Sequence, residues 1–231
     1  MYTGNQTTIL NEVSFFGKPK NKKKIVNVKI LPAEANKGII FKRTDLKKDN
    51  IIELNYNNAF IENNELVIKN NKNVSVSNVE LLLDSIWANR LDNLLIELDG
   101  DAIPYIDGTS EPISFLLTIG RAKELENVRN VFVLEQDNGI KIGKCEISIK
   151  PSNSFIIEMK NGKKTFLFDN KDLPFKDWLS NIKDNSKEKN KLDVISALAI
   201  IFISGKYCKF EVKFKNFDKQ IACEFFKNIL K

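Results

Sequence analysis

The chain of 231 residues contains no histidine, so the commonest zinc ligand and the commonest neutral-pH acid/base are both missing. The chemistry open to it rests on carboxylates, lysines and three cysteines. Cys145, Cys208 and Cys223 are far apart, form no CxxC pair and are odd in number. That spacing supports neither a disulfide scaffold nor a thiolate metal site, and it fits a reducing compartment. Ser77-Asn78-Val79-Glu80 has the S-x-x-E form of a capping box, which predicts that Glu80 satisfies the start of a helix. Asp218 stands before another apolar-periodic run and is expected to cap it. A lysine-rich stretch, Lys18, Lys20, Lys22, Lys23 and Lys24, reads as an exposed loop that is solvated or meets an RNA or another anionic surface.

The elements around these residues read as α+β. Strands are expected over 7–15, 25–31, 38–43, 51–54, 65–68 and 93–99, with the lysines in the loop between the first two. The stripe Val79, Leu82, Leu83, Ile86, Arg90 predicts a helix over about 77–91. A second helix follows Ser110-Glu111-Pro112, proline being tolerated in a first turn. The second half predicts an antiparallel meander over 131–135, 140–149, 154–159 and 163–168, with turns at Asp137-Asn138-Gly139 and Asn161-Gly162. A short helix is expected over 175–179, and an apolar helix over 192–203, stopping at Gly205. A strand at 209–214 leads to a last helix from Asp218. Two sub-domains result, 1–126 and a reduced 127–231. Each has a mainly antiparallel sheet and two helices, with the helices packed between the sheets.

Net charge is +6, with charges mixed along the chain. No apolar run approaches the roughly 20 residues of a membrane span. No signal peptide is expected, which gives a cytoplasmic or mitochondrial matrix protein that is not secreted.

Several stretches in order resemble the UDP-3-O-acyl-N-acetylglucosamine deacetylases, the zinc amidases of lipid A synthesis (LpxC). They are Gln6 to Gly17, Leu31-Pro32-Ala33 with Gly38 to Leu46, Val74 to Leu83, and Leu91-Asp92-Asn93. Glu97-Leu98-Asp99, Asp107 to Pro112, Leu192 to Ile195 and Phe214 to Asp218 continue the series. The resemblance implies a zinc ion held by two histidines and an aspartate, a glutamate base and a histidine acid. Three protein ligands would leave a metal position open for water.

Carried over position by position, Glu80 matches the base and Asp193 the aspartate ligand. Leu81 replaces the first zinc histidine and Lys189 the second. Asp218 falls where the acid stands, and Asn190 replaces the lysine beside the second ligand. The family's long segment before the helix at 192, with the walls of its acyl passage, has shrunk to about twenty polar residues. Each surviving carboxylate has a structural reading beside the catalytic one: Glu80 as capping-box residue, Asp193 as a first-turn acid favoured by the helix dipole, Asp218 as N-cap. Leu81 is expected to pack into a filled-in pocket. These substitutions predict no family zinc and a non-catalytic, degenerate member of the family. Such a body would be a structural or scaffold subunit of a larger assembly, an organellar one included, with other protein subunits as partners. The alternatives are an active deacetylase with an altered site, or a module that binds a nucleotide sugar.

Overall fold

The computed structural model describes residues 4–20, 23–161, 164–169 and 188–230. The first part contains β1 (Asn5–Ile9), β2 (Val13–Gly17), β3 (Val26–Pro32), β4 (Ile39–Arg43), β5 (Ile51–Glu53), β6 (Ala59–Glu62), β7 (Glu65–Lys69) and β8 (Ser75–Val76). Helix α1 (Glu80–Ala88), β9 (Leu94–Leu98), α2 (Glu111–Gly120) and β10 (Ala122–Val128) follow. Next come β11 (Val131–Val133), β12 (Asn138–Ile142), β13 (Cys145–Pro151), β14 (Ile156–Asn161) and β15 (Lys164–Asp169). Helix α3 (Glu188–Phe202), β16 (Tyr207–Lys215) and α4 (Lys219–Ile229) complete it. The fold is α+β with mainly antiparallel sheets, as the periodicity predicts.

One sheet has the order β2-β3-β9-β4-β5 and is antiparallel except for β4 beside β9. Its strands alternate buried and exposed residues: in β2, Val13 and Phe15 point in while Ser14 and Phe16 point out. The expected strand over 7–15 is two strands instead. Leu10 and Asn11 turn away to donate to the carbonyls at the end of α2, and β1 leaves to pair with β10. β10 runs through the expected sub-domain boundary at 126.

The second large sheet departs from the predicted meander. The expected strand over 140–149 is the hairpin β12–β13, with Gly143 in a left-handed turn, and Asn138-Gly139 lies within β12 instead of forming a turn. β13 and β14 are not neighbours. β16 inserts between them, antiparallel to β13 and parallel to β14. The predicted hairpin β14–β15 is present. The expected short helix at 175–179 and the turn residue Gly162 fall outside the described residues, as does Lys22 of the basic loop.

The helices are apolar on more than one side because they are enclosed on more than one side. Every residue from Val194 to Ile203 is buried, and α1 is buried continuously from Leu82 to Ile86. Phe210, Phe214 and Phe226 join the inner face of the second sheet to α4. Gly205, at φ 62°, ends α3 as expected.

Polar anchors tie the chain's separated stretches together. Arg129 grips Asp92 through two nitrogens, Nε at 2.9 Å from Oδ1 and a terminal guanidinium nitrogen at 2.8 Å from Oδ2. Thr7 N donates to the same carboxylate at 2.8 Å. Asn93 donates to Gln6 Oε1 at 3.0 Å and accepts from Gly38 N at 2.9 Å. These bonds satisfy buried polar groups while locking β1, β4 and β10 around the exit of α1.

Candidate functional site

Glu80 stands at the first position of α1, but no capping box forms. Ser77 is held in a bridge to the chain at Ala102: its N donates to Asp101 O at 3.0 Å and its O accepts from Ile103 N at 3.0 Å. Asn78 then takes a left-handed conformation, φ 57°, and Val79 becomes the N-cap without a side-chain bond. The helix therefore starts at 80 instead of 77, and Glu80 is released for another role.

That role is a junction of three elements. Asn63 and Asn64, at φ 50° and 62°, make the tight two-residue turn between β6 and β7. The turn brings Leu66 N to Glu80 Oε1 at 3.0 Å. Lys219, the first residue of α4, reaches the same oxygen at 3.3 Å and also donates to Asn64 O at 2.9 Å. The Glu80 and Lys219 side chains are each only 13% exposed. With so little water around the pair, removing either partner would leave the other charge enclosed and uncompensated.

Lys219 escaped the sequence reading, yet it carried a signal. A lysine in the first turn of a helix opposes the helix dipole and implies a local carboxylate.

Asp218 is the N-cap of α4, as expected: its Oδ1 accepts from Ile221 N at 3.0 Å. Asp193 is half-buried and lies in the second turn of α3, not the first. The helix begins at Glu188, earlier than the predicted 192, so the first-turn dipole explanation for this residue does not hold. Leu81 is half-buried beside Glu80. Lys189 and Asn190 lie on α3, but their side chains are outside the described residues. Among the described residues, no three His, Cys, Asp or Glu side chains converge where one ion could sit. The donors described at the family's zinc positions are a poor match for that ion. Leu81 offers only hydrocarbon, which leaves Asp193 as the one described donor among the ligand positions, and the carboxylate beside Leu81 in the chain, Glu80, already faces an ammonium group.

One turn beyond Glu80, Asp84 is 1% exposed and neither of its carboxylate oxygens has a hydrogen-bond partner. Burial, with the charge of Glu80 added, pushes its pKa well above the usual carboxylate range. The sequence signal was a carboxylate set inside the run Leu82-Leu83-Asp84-Ser85-Ile86.

The family described as LpxC, UDP-3-O-acyl N-acetylglycosamine deacetylase, matches residues 6–183. The chain belongs to the LpxC family. Curated relatives named UDP-3-O-acyl-N-acetylglucosamine deacetylase include one from Ruthia magnifica, 29% identical over 158 residues, which are 67% of this chain and 50% of that protein. One from Idiomarina loihiensis is 30% identical over 155 residues, covering 66% and 50%. One from Campylobacter lari is 30% identical over 178 residues, covering 71% and 58%. The chain thus spans about half the length of the curated relatives it matches. Asp92, Asn93 and Gly38, which lie in stretches that resemble the family, are among the anchors described above. Among the described residues, no helix is long and apolar enough to cross a membrane.

Proposed function

We propose that this LpxC-family chain is non-catalytic, carries no zinc, and serves as a folded subunit of a larger protein assembly. The observation that carries this reading is the engagement of Glu80. A deacetylase base must bring a carboxylate oxygen to a metal-activated water. Here Oε1 is shared between Leu66 N–H and the Lys219 ammonium group, with Leu81 beside it. The family-like framework stays intact around this closed junction: the Asp92–Arg129 pair, the Asn93–Gln6 bond and the cap at Asp218 all have their partners. Such a pattern suits a body selected for its shape.

The test is a joint measurement on the purified full chain. Metal content by atomic emission is expected well below one zinc per chain. No acetate release is expected from a UDP-3-O-acyl-N-acetylglucosamine. Affinity purification under native conditions is expected to recover the chain with stoichiometric protein partners. Stoichiometric zinc together with deacetylation overturns the reading, and a partner-free monomer in the native extract removes the scaffold role.

A further inference from the structure

Beside β2 and α2, large apolar side chains stand exposed around a shallow groove of about 800 Å³ that Ser14, Asn27, Lys29, Glu97 and Asp99 also line. Phe16, on the outward pleat of β2, is 70% exposed. Phe115 is 66% exposed and Ile119, one helical turn further along α2, 55%. Phe16, Ile106 and Phe115 line the same groove, and Tyr105 adjoins it. A contiguous patch of this kind marks a contact surface more than scattered single residues do.

The basic loop sits at its edge. Tyr105 N donates to Lys18 O at 3.0 Å, and Lys20 Nζ lies 6.0 Å from the centre of the Tyr105 ring. Lys18, Lys20, Lys23 and Lys24 are all exposed. Of the nearby carboxylates, Asp45 is paired with the Arg43 guanidinium, Nε at 2.8 Å, whereas Asp99 and Asp107 are held by neutral donors, Asn27 Nδ2 at 2.7 Å and Thr109 N at 2.8 Å, and keep their charge. The exposed Lys18, Lys20, Lys23 and Lys24 outnumber those two carboxylates, so the loop presents net positive charge beside the apolar side chains.

We propose that this face docks on an anionic lipid bilayer. Lysines would meet the headgroups while Phe16, Ile106, Phe115 and Ile119 enter the interface, as in peripheral proteins that combine a polybasic segment with an apolar surface. The charge complementarity points to an anionic partner. The aliphatic share of the patch favours lipid over RNA, because isoleucines offer no ring for a base to stack on. This inference stands whether or not the chain catalyses a reaction.

The test is co-sedimentation of the full chain with vesicles of phosphatidylcholine alone or mixed with phosphatidylglycerol. Binding is expected only to the mixed vesicles and should weaken as salt screens the lysines. Replacing Lys18, Lys20, Lys23 and Lys24 by Gln should lower the partition coefficient by about fivefold per lysine. Phe16→Ser and Phe115→Ser should each lower it by about tenfold. Thermal melts of the variants check that they fold. No binding to mixed vesicles overturns the proposal. So does retention of a homopolymer RNA without vesicle binding, or a solution dimer abolished by Phe16→Ser in a chain that ignores vesicles.

Discussion

Asp84→Asn changes one oxygen for an NH2 group of nearly the same size and removes a titrating proton from the enclosed middle of α1. Asp84 has a native pKa raised from its ordinary 3.8 by burial, with Glu80 adding to the shift. Below that ordinary value both the native and unfolded states hold the proton, and the wild type is at its best relative to the variant. As pH rises, the unfolded chain ionises while the native carboxyl stays neutral. The native state then loses about 1.4 kcal/mol per pH unit until the native pKa is reached. Asn has no such loss. For a chain of this size, about 1 kcal/mol corresponds to 2–4 °C of melting temperature. The gap between Asp84→Asn and wild type should therefore open by about 3–6 °C per pH unit from about pH 4.5 upward. Differential scanning fluorimetry across a pH series, with urea melts at two pH values as a check, measures it. Asp84→Ala serves as a second variant. It removes the unsatisfied group, worth about 1–3 kcal/mol, at the cost of a small cavity, and should show the same widening gap. Parallel curves for wild type and both variants would refute the reasoning, since a gap that does not widen with pH means that Asp84 is not held neutral by its burial.

Breaking the Glu80 junction should destabilise from either side. Glu80→Gln or Lys219→Met is expected to cost about 2 kcal/mol in urea melts, with the double variant recovering part of the loss; additive costs would mean that the pair does not interact. Arg129→Ala strands the largely buried Asp92 carboxylate and should cost about 3 kcal/mol, whereas a loss below about 0.5 kcal/mol would contradict the anchor role. The buried thiols of Cys208 and Cys223, pushed up to about 12 and about 11 chiefly by burial, should resist alkylation at neutral pH until the chain is denatured. Rapid native labelling at either, followed by mass spectrometry, would contradict their burial.

Where local chemistry decides the structure, the sequence was readable. Asp218 caps α4, Gly205 ends α3, and the alternation in β2 sets its inner and outer faces, because each depends on residues within one or two turns. The capping box at 77–80 failed because Ser77 is committed to a bridge with residues more than twenty positions away, which no local pattern encodes. The meander failed for the same reason on a larger scale: β14 is followed by β15 in sequence, but its other neighbour is β16, far along the chain. At the candidate site, Glu80 and Asp218 were visible as positions. Their partners were not, because the Asn63–Asn64 turn and the start of α4 meet only through tertiary packing. Asp84 was legible as an anomaly in an apolar run, but its missing partners emerge only when all faces of the helix are covered.

The insertion of β16 between β13 and β14 has a bearing on synthesis. A ribosome delivers β13 and β14 long before the strand that will lie between them, so each waits with an open hydrogen-bonding edge. During that interval the second half is a template for wrong pairing, and slow non-local closure lengthens the exposure. A premature stop anywhere before Tyr207 should release not a shorter protein but a sticky one, and cells making this chain would be expected to shield its nascent second half until the final strand arrives.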